Sequence, residues 1–145
     1  MTTTTLGAPS ASPSRTTLRS VGALTAAFVA MVVVTGIADQ ILHWLGVFPP
    51  WGQVSYETGP YLLAVTYRTI FGVGGAYLAA RLAPRAPMCH ALWFGGIGVV
   101  LSLAAVIATL THDLGPIWYS VVLLLVTLPC AWAGGALYTR HSGAA

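Results

Sequence analysis

The stretch LRSVGALTAAFVAMVVVTGIADQILHWLG, residues Leu18–Gly46, decides the fold. Its apolar run exceeds the ~20 residues that a helix needs to cross the hydrocarbon core of a bilayer. Beyond Arg19 it holds a single charge, Asp39. An amphipathic helix of a soluble protein keeps one polar face, and this segment has none. Three further runs of the same kind follow: Pro60–Leu82, Met88–Thr111 and Pro116–Tyr138. Helix breakers separate them at Pro49-Pro50, Pro84 to Pro87 and Gly115-Pro116. The pattern predicts an all-α integral membrane four-helix bundle whose principal environment is the lipid bilayer.

Composition agrees. The 145 residues are 57% hydrophobic and 6% charged, outside the range of soluble globular domains. The six cations are all arginine and the net charge is +3, too sparse for a nucleic-acid surface. Cys89 and Cys130 lie in apolar surroundings without metal or redox spacing and read as buried inert thiols. Residues 1–17, rich in Thr, Ser and Pro, read as a disordered tail. The transmembrane domain then covers residues 18–139 and a short tail covers 140–145. Arg15 and Arg19 before an apolar run, with small residues at Gly36-Ile37-Ala38, resemble a cleavable leader. The run continues through Trp44, too far for an ordinary leader, so an uncleaved helix is expected.

Orientation follows from the arginines. Arg15, Arg19, Arg81, Arg85 and Arg140 fall on one side of a four-span chain, and Glu57 and Asp113 on the other. The positive-inside rule then places both termini in the cytoplasm. Trp44, Trp51, Tyr56, Tyr61, Trp118 and Tyr119 form an aromatic belt at the opposite interface.

His43-Trp44-Leu45-Gly46 resembles His112-Asp113-Leu114-Gly115, and Gly74-Gly75-Ala76 resembles Gly134-Gly135-Ala136. Two tandem helical hairpins related along the membrane normal would give this pattern. Chance matching among Gly, Ala and Leu would give it too. Helical spacing also gathers small residues into stripes: Gly72 and Gly75 in span two, Gly95 and Gly98 in span three, Gly134 in span four. Such stripes are helix contacts, because close backbone approach replaces the hydrophobic drive that lipid abolishes. Pro129 is expected to bend span four.

The charges within the spans are the candidate site. At helical rise Asp39 lies ~10 Å below Gly46, and Arg68 ~12 Å below Pro60. Antiparallel neighbours therefore bring them to one depth, where an unpaired charge costs several kcal/mol. A buried ion pair is expected. His43 sits one turn from Asp39 on the same face, and Tyr61 and Tyr67 offer further donors.

Three functional readings fit these residues. The first is a non-enzymatic packing or accessory protein in which Asp39 and Arg68 lock two helices, acting as a homo-oligomer or in a larger membrane complex. The second is a small proton-coupled transporter using Asp39, His43 and Arg68. It resembles small drug exporters in placing an acid in the first of four helices, although those carry a glutamate without an arginine partner. The third is a haem or metal site clamped by His43 and His112. No nucleophile elbow, phosphate loop or pair of catalytic carboxylates is present, so neither enzyme activity nor a cofactor is expected.

The segment GGAYLAARLAP, Gly74–Pro84, followed by Pro87 and His90-Ala91, resembles a stretch recurring in uncharacterised small four-span bacterial membrane proteins. The resemblance implies the same fold and placement in a bacterial inner membrane, and no function.

Overall fold

The computed structural model describes residues 13–143. Among them are four helices and no strand: α1 (Pro13–Trp44), α2 (Thr58–Leu82), α3 (Pro87–His112) and α4 (Ile117–Gly143). Each is long and apolar enough to span a membrane, so the chain is a four-helix membrane bundle. α1 begins before the expected Leu18, at Pro13, a residue suited to a first helical turn because its missing N–H has no partner to lose there. The remainder of the expected N-terminal tail, residues 1–12, lies outside the described residues, as do 144 and 145. Residues 140–143 continue α4, which runs unbroken through Pro129.

Small residues set how the helices meet. Ala27, Ala76, Ala79, Ala80, Ala91 and Ala131 surround Phe94 in one core. Gly95 faces Ala131, and Gly134 lies directly on the Val73 carbonyl and beside Ala76. Gly98 abuts Thr127, Gly75 abuts Phe94, and Gly72 faces Cys130. The expected stripes thus form contacts, and Gly135, set against Met88 and Ala91, extends them. Away from these contacts Val100, Leu101 and Leu125 point outward, as a lipid-facing surface requires. Large aliphatics of these spans are expected to meet lipid, yet Val99 and Leu123 are half-buried.

The packing is uneven. α2, α3 and α4 pack on one another, whereas α1 lies along α2, touches α3 and does not reach α4. Among the described side chains of α1, Ala23 and Ala27 are buried, both in the half near the chain terminus. There Phe28 meets Phe94 with ring centroids 4.3 Å apart. In the half leading to Trp44, α1 has no buried residue. The bundle is therefore closed at the end bearing the termini and loose at the end bearing the two hairpin connections.

This asymmetry also limits the tandem-hairpin reading. A two-fold relation that pairs α2 with α3 would pair α1 with α4, and that contact is missing. The connections differ as well: one runs from residue 45 to 57, the other from 113 to 116. Gly46 and Gly115, aligned in the sequence, adopt φ of 69° and 133°. The repeat does not extend into the packing.

Candidate functional site

Asp39, from the loosely packed half of α1, meets α2 at Arg68. Arg68 Nη2 donates to Asp39 Oδ2 at 2.6 Å, and the Tyr67 hydroxyl donates to Asp39 Oδ1. Both carboxylate oxygens are therefore engaged by neighbours on α2. The expected burial needs correction. The Arg68 side chain keeps 35% of its surface exposed and Asp39 keeps 20%. The cause is the missing α1–α4 contact, which leaves open space beside the pair.

That space forms two cavities, and Asp39 and Arg68 line both. One of about 410 Å³ runs toward the middle of the bundle between apolar walls, including Phe28, Met31, Leu123 and Val126. The other, about 290 Å³, lies under the first connection, beside His43, Trp51, Tyr61 and Tyr119. The ion pair stands between them.

His43 does not reach the Asp39 carboxylate. Its Nδ1 lies 2.8 Å from the Asp39 backbone carbonyl, one helical turn back. Its ring stacks on Trp51 with centroids 4.0 Å apart and planes 2° from parallel. The connection turns back over the helix end to allow this. Gly46 takes the left-handed φ that a side chain disfavours, and the Val47 and Phe48 amides both donate to Leu42 O. A direct proton exchange between Asp39 and His43 has no contact to run through.

Tyr61 also stands apart from the ion pair. Its hydroxyl donates to Ser55 O at 3.0 Å and its ring packs on Tyr119 with centroids 5.0 Å apart. Tyr61 and Tyr119 thus face inward, while Trp44, Trp51 and Tyr56 are exposed. Beside them, the Tyr56 hydroxyl donates to Asp113 Oδ1 and ties the two connections together. That bond, to an anionic acceptor, raises the Tyr56 pKa above its ordinary 10.0, because ionising the phenol would set two negative charges together. No pattern along the chain signals this tie, since the partners are 57 residues apart.

His112, expected as a counterpart to His43, is exposed at the end of α3 and lines neither cavity. No group of three or more His, Cys, Asp or Glu side chains is placed to hold a metal among the described residues. Cys130 is buried as expected, whereas Cys89 is exposed, since the first turn of α3 turns it away from the bundle. Between α3 and α4, Thr109 and Ser120 hydroxyls lie 3.0 Å apart, and Ser102 and Thr127 3.4 Å apart.

No protein-family model matches the chain. Nor is there a significant match among curated proteins or solved structures.

Proposed function

We propose that this chain is a non-enzymatic protein of the bacterial inner membrane, with both termini cytoplasmic, that acts through helix packing. In this reading the α2–α3–α4 core is rigid, and α1 is a helix latched to it by Asp39, Arg68 and Tyr67. The observation that supports it most is the full engagement of the Asp39 carboxylate by α2. A carboxylate bonded through both oxygens to one neighbouring helix fastens one element to another, as a latch requires. The half of α1 that carries Asp39 has no buried residue, and Met31 near its start is its one side chain packed on the core. A helix end restrained chiefly by one polar cluster is suited to shift against a second copy or a membrane partner, the role of an accessory subunit.

Charge exchange tests the latch in cells. Asp39→Arg alone and Arg68→Asp alone should each lower the amount of protein in the membrane, because each leaves two like charges facing one another. Combining them should restore most of it. A combined variant as scarce as either single one contradicts a latch. Reporter fusions after Ala145 and within residues 52–57 test the orientation, and a C-terminal reporter active only outside the cytoplasm overturns it.

A further inference from the structure

The larger cavity has the shape and chemistry of a binding site, and this goes beyond the latch. Its volume of about 410 Å³ falls within the ~300–1,000 Å³ of small-molecule sites. Its walls are mostly apolar, with the Thr35, Thr69, Ser102 and Thr127 side chains among them, and Asp39 and Arg68 supply the charged groups at one end. Exposed Val32 on α1 and exposed Leu101 on α3 both line it, so its mouth opens sideways between these helices, toward the lipid. An occupant therefore enters from the bilayer and is largely hydrocarbon.

The polar end restricts what the occupant carries there. A guanidinium has five N–H donors. Arg68 spends one on Asp39 Oδ2, and its Nε is covered and has no acceptor. Each Asp39 oxygen already accepts one bond, from Tyr67 or Arg68. More N–H donors of Arg68 than lone pairs of Asp39 stay unspent, so the polar end favours a ligand that brings an acceptor. Arg68 and Asp39 already cancel in formal charge, and a further anion would stand uncompensated in a low-dielectric setting. The acceptor is therefore neutral. The geometry points to a lateral binding site for a neutral, single-chain lipid whose carbonyl oxygen accepts a hydrogen bond from Arg68. An acyl ester and a quinone with an apolar tail both present that group.

The test uses the full chain in nanodiscs of diether phospholipid, a matrix free of ester carbonyls. Methyl dodecanoate and decyl-benzoquinone, each labelled with carbon-13 at the carbonyl, are titrated in and the carbonyl infrared band is followed. Dodecane is the competitor lacking an acceptor. The expected result is a saturable, down-shifted band for at least one probe, which identifies the source, with dodecane displacing it poorly. Gly36 lines the cavity, and a side chain built there meets nothing within 4 Å. Gly36→Leu should therefore fold and weaken binding about tenfold or more. Gly74→Leu, which also points into open space but lies outside the cavity, should bind like wild type. Val32→Trp provides a second block at the mouth and decides the matter if Gly36→Leu is poorly folded. A non-saturable band for both probes, displacement by dodecane as strong as by the probes, or unaltered binding in the folded blocking variants overturns the site. None of these outcomes bears on the latch, which is read without ligand.

Discussion

Gly134→Leu should prevent stable assembly of the bundle. A β-carbon at this position would lie 2.7 Å from both the Ala76 Cβ and the Tyr77 amide nitrogen, and closer still to the Val73 carbonyl oxygen. Two of these three atoms are backbone, so no side-chain rotation relieves the clash. α2 and α4 would have to separate along the part of the bundle that holds the Ala-rich core. Overpacking of this kind costs about 3 kcal/mol or more. The effect should appear as a large fall in melting temperature in detergent and as loss of protein from the membrane. Gly74→Leu is the matched control, since its new side chain meets open space. It should lie within about 0.5 kcal/mol of wild type or gain slightly from helix propensity. Equal stability of the two variants would mean that α2 and α4 do not approach through Gly134.

The second large effect concerns Asp39 and Arg68. Removing one partner leaves the other charge without compensation at mid-span depth, and a fully buried pair broken this way loses ~3–5 kcal/mol. Arg68 keeps a third of its surface open, so hydration offsets part of the loss. Arg68→Gln and Asp39→Asn should each cost about 2–3 kcal/mol. The double variant should cost less than the sum, with a coupling of at least ~1 kcal/mol, because it leaves no orphan charge. Melting temperatures of the four proteins in one detergent supply the cycle. Strictly additive losses would show that the pair contributes nothing to holding α1.

The fold was legible in the sequence because bilayer thickness leaves so few choices. Four apolar runs of sufficient length, separated by proline-rich connections, admit one secondary structure. The contact stripes were legible for a related reason. Gly75, Gly95 and Gly134 recur at helical spacing among large aliphatics, and only contacts need residues so small. The meeting of Asp39 with Arg68 followed from their depth alone. Other features were not legible, since they depend on lateral arrangement, which spacing along one helix does not encode. Depth along the helices predicts the pair but not its lateral surroundings: α1 does not reach α4, so cavities flank the pair. His43 has the right spacing to face Asp39, but helical geometry offers the backbone carbonyl first, and Trp51 then stacks on the ring. The Tyr56–Asp113 tie joins two connections whose relative placement only the folded bundle sets.

In the proposed latch, the polar cluster holds the hairpin end of α1 against a core that its terminal end already joins through packing. Spin-label distances test this most directly, in a background with Cys89→Ser and Cys130→Ala. Labels replacing Ile41 and Val121 report the hairpin ends of α1 and α4, and labels replacing Val21 and Leu137 report the terminal ends. All four side chains are exposed, so the labels leave the packing intact. In Asp39→Asn the distance distribution between positions 41 and 121 should broaden and shift outward by several ångströms, while that between 21 and 137 stays as in wild type. An unchanged distribution at the hairpin end, or an equal change at both ends, would contradict the account.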